Sequence, residues 1–113
     1  MAIELREYLD ERGRSPYAEW FEKLDSHAAQ KVEVALWRIE AGNLSNVRPV
    51  GGGVLEYKIH FGTGYRIYFG REGAEIIILV AGGTKQRQQQ DISTALRHWR
   101  DYKERKQSRK RSR

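Results

Sequence analysis

The sequence predicts an α+β domain, in which a small sheet built around an antiparallel hairpin carries a helical hairpin on one face and is followed by a third helix. Three observations predict this fold class. Apolar and polar side chains alternate over residues 54–61, just before a glycine-rich segment. Two stripes of apolar residues at helical spacing precede this segment. A purely aliphatic run at 76–80 follows it and leads into a last helical stripe.

The central hairpin is predicted to turn at residues 62–64, because glycine reaches the positive backbone angles that short loops need. This turn would place Lys58 near Tyr68 and His60 near Arg66. The alternation leaves one face of the hairpin apolar and makes the other face polar and, we expect, uncovered. The side chains gathered on the polar face are Glu56, Lys58, His60, Arg66 and Tyr68.

Capping residues mark the helices that precede the hairpin. Ser15-Pro16 predicts the start of a first helix, and Asp25-Ser26 predicts the start of a second, which ends at Gly42-Asn43. Residues 3–9 alternate and predict a short strand at a sheet edge or beside the last strand. Residues 44–49 are predicted to be a connector without regular structure.

The formal net charge of +6 is distributed unevenly along the chain. Residues 104–113 hold six basic residues and one acidic residue, which leaves 15 basic and 14 acidic residues elsewhere. We predict a single folded domain over residues 1–103 and a disordered basic tail over 104–113. The sheet half is also basic, which favours a polyanionic partner, although a basic tail alone can equally serve solubility.

The composition excludes several classes of protein. The chain has no cysteine, which rules out disulfides, thiolate nucleophiles and cysteine-bound zinc. Its first residues do not look like a signal peptide, and no apolar run approaches the ~20 residues needed to span a bilayer. The histidines lack the spacing of metal ligands. We therefore expect a cytoplasmic protein that uses no metal or other cofactor.

The polar face of the hairpin has residue types that suit RNA cleavage without a metal. Such a reaction needs a base for the 2′-hydroxyl, cations for the phosphate and an acid for the leaving oxygen. Arginine and lysine can bind phosphate oxygens, and histidine or tyrosine can exchange a proton. The candidate catalytic residues are Arg66, Lys58, His60, Tyr68, Lys85 and Arg87. Glu56 with Lys58 or Arg66 could instead form ordinary cross-strand ion pairs on a solvated face.

The chain resembles the RelE/ParE toxin superfamily, and within it the HigB-like, phage-derived addiction-module killer proteins. The motifs that carry the resemblance are GGGVLEYKIHFGTGYRIYF at 51–69, LVAGGTK at 79–85 and QQDI at 89–92. The resemblance implies a small antiparallel, mixed-edge sheet with an N-terminal helical hairpin on one face and a C-terminal helix. It also implies the toxin of a bacterial type II toxin–antitoxin system.

The resemblance further implies a ribosome-dependent mRNA endonuclease that inhibits translation and is neutralised by an antitoxin, expected to be a helix-turn-helix protein. Arg66 matches the family's hairpin arginine, Arg87 lies where a second catalytic arginine is found, and Lys85 matches a lysine frequent in this branch. The tyrosine that RelE-type enzymes carry near the start of the last helix has no counterpart. The role of acid or base then passes to His60, Tyr68 or a lysine.

Two other functions share the same basic surface. One is a ParE-like toxin that inhibits DNA gyrase without cutting RNA, and the other is a nucleic-acid-binding module without catalytic activity. The first would leave mRNA intact while gyrase is inhibited, and the second would affect neither.

Overall fold

The computed structural model describes the backbone of residues 2–111 and the side chains of residues 2–109. Its strands are β1 (Glu4–Glu7), β2 (Val47–Gly51), β3 (Val54–Ile59), β4 (Tyr65–Glu72) and β5 (Ile76–Thr84). Its α-helices are α1 (Pro16–Glu22), α2 (Ser26–Glu40) and α3 (Gln88–Arg111), the last preceded by a 3₁₀ turn at Lys85–Arg87. The predicted α+β fold class is confirmed.

The five strands form one mixed sheet in the order β1-β5-β4-β3-β2. β1 runs parallel to β5, and all other neighbours are antiparallel, so the predicted edge position of the first strand is confirmed. β2 lies where the sequence predicted an irregular connector. It is tolerated as a strand despite Pro49 because it lies at the sheet edge, where a missing N–H breaks no ladder.

The β3–β4 hairpin differs from the prediction in its register. Lys58 pairs with Arg66, two residues away from the predicted partner. The loop therefore spans residues 60–64, and it is closed by the amide of Gly64, which donates to the carbonyl of Phe61 at 2.9 Å. A shift of two residues keeps every side chain on its predicted face, because side chains alternate with period two.

The helices α1 and α2 cover the apolar face of the sheet, as predicted. Ser15 Oγ accepts a hydrogen bond from the amide of Ala18 at 3.0 Å, and Asp25 Oδ1 accepts one from Ala28 at 2.9 Å, so both predicted caps are confirmed. The buried core on this face consists of Ile3, Tyr17, Val32, Ala35, Ile39, Tyr57, Ile59, Ile67, Phe69, Ile77 and Leu79.

The helix α3 covers much of the opposite face, so the prediction that this face is uncovered is wrong over most of its area. Gly70 makes room for the helix, because a Cβ atom there would come within 2.5 Å of the Trp99 ring. The core beneath α3 consists of Tyr8, Val54, Tyr68, Ile78, Val80, Ala81, Ala95 and Trp99. The part of the face next to the β3–β4 loop stays open.

The segment predicted as a disordered tail is helical up to Arg111, the end of α3. Arg105 pairs with Asp101 within α3 at 2.6 Å, and Lys106 pairs with Glu72 of β4 at 2.5 Å, which attaches this part of the helix to the sheet. Residues 112 and 113 lie outside the described residues. Among residues 2–111, no helix combines the length and the apolar character that a membrane crossing requires.

Candidate functional site

A cavity of about 440 Å³ opens beside the β3–β4 loop, at the end of the sheet that α3 leaves uncovered. We call it the hairpin cavity, and its side chains that carry or can carry positive charge are Lys58, His60, Arg66 and Lys85. None of the described residues that line it is acidic. The cavity is therefore suited to an anion.

The hairpin register brings these side chains together. Lys58 and Arg66 lie directly opposite each other on β3 and β4, so they project from the same face. Lys85 follows the end of β5, and its amide donates to the carbonyl of Gly64 at 3.1 Å, which ties the 3₁₀ turn to the hairpin loop. Backbone hydrogen bonds thus fix the rim of the cavity.

Arg66 lies at the base of the cavity and has unused hydrogen-bonding capacity. It is only 4% exposed, and its Nε lies 3.4 Å from Oε2 of Glu56, without the alignment of a hydrogen bond. Nε and Nη1 are both buried without a hydrogen-bond partner among the described residues. Buried donors without acceptors are unfavourable, so this guanidinium favours an anionic ligand that supplies them.

Glu56 lies beneath the hairpin cavity and binds side chains from three other elements. It is fully buried, and its carboxylate accepts hydrogen bonds at 2.9 Å from Arg48 Nε, Tyr68 Oη and Gln88 Nε2. Burial by itself raises the pKa of Glu56, but the hydrogen bonds from Arg48, Gln88 and Tyr68 lower it more, so the net pKa lies below its usual value. Glu56 is therefore a buried anion beside Arg66, and the predicted solvated cross-strand pair is corrected to a buried one.

Tyr68 does not reach the cavity, and the expectation that it contacts RNA is wrong. The side chain is completely buried, and its hydroxyl is bound to Glu56. Burial and this hydrogen bond raise the pKa of Tyr68 well above its usual value. It can neither stack on a base nor transfer a proton to a ligand in the cavity.

Of the other predicted residues, three line the cavity and one lies outside it. Lys58 is half-buried, His60 and Lys85 are exposed, and Lys58 and Lys85 form no ion pair within the described part of the chain. Arg87 is exposed and does not line the cavity. Burial raises the pKa of Asp91, and the positive charge of Arg87 lowers it by a smaller amount.

Three residues that support the site were missed by the sequence analysis, namely Arg48, Gln88 and Asp91. Arg48 and Gln88 bind Glu56 from β2 and α3, which are far apart along the chain. Asp91 packs against Gly83, where any side chain would collide with its carboxylate. The available signals were an acid, Glu56, on the same face as Lys58 and Arg66, and the glycine opposite Arg66.

Comparison with known proteins finds similarity both in sequence and in structure. An uncharacterized protein of Haemophilus influenzae is 34% identical over 77 residues, which are 67% of this chain and 78% of that protein. No family model matches the chain. The E. coli toxin RelE, solved as a double mutant in the free state, superposes with a TM-score of 0.64 at 18% identity, covering 86% of this chain and 97% of RelE. The chain therefore has a RelE-like fold.

Proposed function

We propose that this chain, which belongs to the same family as the uncharacterized Haemophilus influenzae protein and has a RelE-like fold, is the toxin of a bacterial type II toxin–antitoxin system. We infer that it cleaves mRNA on the ribosome. The observation that carries the proposal is the buried guanidinium of Arg66, with two donors unpartnered, at the base of a basic cavity. A phosphate group in the cavity offers the guanidinium both hydrogen-bond acceptors and the opposite charge.

The chemistry would be divided among the residues of the hairpin cavity. Arg66 binds the scissile phosphate and stabilises the charge that grows on it, and Lys85 and Lys58 neutralise that charge from the rim. His60 is the exposed group at the rim that we assign to proton transfer, since the imidazole nitrogens can donate or accept a proton. Glu56 acts through Arg66, because it fixes the position of the guanidinium without touching the ligand.

The partners follow from the proposed activity. The ribosome and its mRNA supply the substrate, and an antitoxin, in our proposal a helix-turn-helix protein encoded beside this one, blocks the activity in the growing cell. A cytoplasmic location and a HigB-like, phage-derived origin belong to the same proposal.

The proposal is tested by inducing the protein in bacteria and mapping transcript ends. Wild-type protein is expected to arrest growth and to produce new ends within translated mRNA. Lys85→Ala is expected to reduce the cleavage rate about 10²-fold, the effect typical of removing one group that stabilises transition-state charge. Because Lys85 is exposed, this variant should fold normally.

Two further variants complete the experiment. Arg66→Ala is expected to restore growth, and a urea unfolding curve shows whether it still folds. Arg71→Ala is the matched control, because Arg71 is an exposed arginine on the same strand that donates to the carbonyl of Ala74 outside the cavity. Growth arrest with intact transcripts, or with gyrase inhibited and mRNA untouched, would contradict the proposal.

A further inference from the structure

A second basic groove lies between α2 and the end of β3, next to the hairpin cavity. Its volume is about 220 Å³, and we call it the α2 groove. The side chains in its lining that carry or can carry positive charge are Lys31, Arg38, Lys58 and His60. None of the described residues in its lining is acidic, so the groove attracts the same class of ligand as the cavity.

The two cavities meet at an open edge of the sheet. Both are lined by Lys58, Ile59 and His60. The pairing of β2 with β3 ends with Val47 opposite Tyr57, and the amide of Lys58 still donates to the carbonyl of Asn46 at 3.3 Å. Among the described residues, Ile59 at the end of β3 therefore pairs with β4 alone. A flexible polyanion bound in the hairpin cavity can therefore pass around this edge into the α2 groove.

The cations contributed by α2 have no acidic partner. Lys31 and Arg38 are exposed, and neither forms an ion pair within the described part of the chain. The Nζ atom of Lys31 lies 5.5 Å from the centroid of the Phe61 ring, which points it toward the hairpin loop. Both charges are thus free to bind phosphates that leave the cavity.

An exposed tryptophan lies on the same helix as these cations. Trp37 is 72% exposed, the largest value among the exposed large hydrophobic residues, and Val34 is exposed one helical turn before it. Val34 lines the α2 groove, and Trp37, three residues further on, lies on the adjoining face of α2 outside the residues that line the groove. An exposed indole next to cations is the combination that binds single-stranded nucleic acid, with the ring stacking on a base and the cations holding the backbone.

We propose that the α2 groove is a second RNA subsite, which holds the strand that continues from the scissile phosphate. Lys31 and Arg38 bind its backbone, and Trp37 stacks on one of its bases. This inference rests on the proposed function of the hairpin cavity. An acidic segment of a protein partner would also match the charges, but the continuity with the phosphate site and the exposed indole favour RNA.

Anisotropy measurements with fluorescent 2′-O-methyl RNA test the inference, since the protein cannot cleave an RNA whose 2′-oxygens are blocked. A trinucleotide is intended to fill only the hairpin cavity, whereas a dodecanucleotide reaches both sites. Trp37→Ala and the double variant Lys31→Ala/Arg38→Ala are each expected to weaken dodecanucleotide binding about tenfold and to leave trinucleotide binding unchanged. Trp37→Phe should retain most of the affinity, because it keeps an aromatic ring.

The controls separate this inference from the proposed function. Lys85→Ala should weaken both oligonucleotides, and equal binding by this variant and the wild type would contradict the proposed cavity itself. Arg71→Ala should weaken neither. If the α2 variants bind the dodecanucleotide as tightly as the wild type, the second subsite is wrong, and if they also lose affinity for the antitoxin, the surface belongs to that protein partner.

Discussion

The two ends of the sheet both collect basic side chains, but among the described residues they differ in whether the lysines are paired with acids. At the end of β4, the tail groove (Arg6, Glu72, Tyr102, Arg105 and Lys106) encloses about 300 Å³. There Lys106 pairs with Glu72, and Arg105 pairs with Asp101. In the hairpin cavity, by contrast, Lys58 and Lys85 have no acidic partner among the described residues.

Two tyrosines at the tail groove donate hydrogen bonds to the same carboxylates, those of Asp101 and Glu72. Tyr8 donates to Asp101 at 2.6 Å, and Tyr102 donates to Glu72. Burial, followed by these hydrogen bonds, raises the pKa of each tyrosine to about 12. The lysine and the carboxylates at this end thus bind other side chains of the protein. The described lining of the hairpin cavity holds cations and no acid, which is the arrangement expected where a ligand supplies the opposite charge.

Removing Glu56 is expected to have the largest effect on stability, because it leaves Arg66 buried without a nearby anion. Loss of one partner of a buried ion pair destabilises a protein by about 3–5 kcal/mol. Glu56→Ala should therefore lower the free energy of unfolding by about that amount in urea. The expected effect depends on burial, since Glu56 is fully buried.

The matching variant at the other end is Glu72→Ala. Glu72 also binds a cation and a tyrosine, but its side chain is 24% exposed and its partner Lys106 is 41% exposed. Its removal should lower the free energy of unfolding by only about 1 kcal/mol. Equal losses for the two variants would show that the network under the hairpin cavity is no more than an ordinary surface pair.

Much of the fold could be predicted because it depends on local sequence. Period-two alternation assigns Lys58 and Arg66 to one face without knowledge of the register. Ser15 and Asp25 mark helix starts through hydrogen bonds three residues away. The register itself was wrong by two residues, because loop length depends on backbone hydrogen bonds within residues 60–64 that no residue type specifies.

The parts of the site that could not be predicted depend on contacts between distant segments. Glu56 looked solvated because its partners Arg48 and Gln88 come from other elements. Tyr68 looked accessible because the cover that α3 provides requires the fit of Trp99 against Gly70. The shared face of Lys58 and Arg66 followed from alternation, whereas the burial of Arg66 did not.

Lowering the pH should change the stability of the protein more through Glu56, near the hairpin cavity, than through Glu72, in the tail groove. The folded-state pKa of Glu56 is below its usual value, so its contribution to stability is present above the unfolded-state pKa and is lost as pH falls through the folded-state pKa. Glu56→Gln removes this titration. The difference in urea midpoint between the wild type and Glu56→Gln should therefore shrink as pH is lowered from about 6 to about 3.

The pKa of Glu72 is also lowered, first by its hydrogen bond from Lys106 and then by that from Tyr102. The same pH series with Glu72→Gln should give a change of the same sign but smaller size, because this carboxylate is partly exposed. A difference between the wild type and Glu56→Gln that stays constant over the whole pH range would contradict the ionised state inferred for Glu56.

The smallest effects are expected when single lysines are neutralised at each end, and here the sign of the change is informative. Lys106→Gln removes the partner of Glu72 and should lower the free energy of unfolding by up to about 1 kcal/mol. Lys85→Gln removes a charge that has only like charges around it in the cavity, so stability should stay the same or rise by a few tenths of a kcal/mol. Urea midpoints measured at low salt, where exposed charges are least screened, provide the comparison. If Lys85→Gln proved as destabilising as Lys106→Gln, the lysine at the cavity would be stabilising the free fold, and its availability for a phosphate would have to be abandoned.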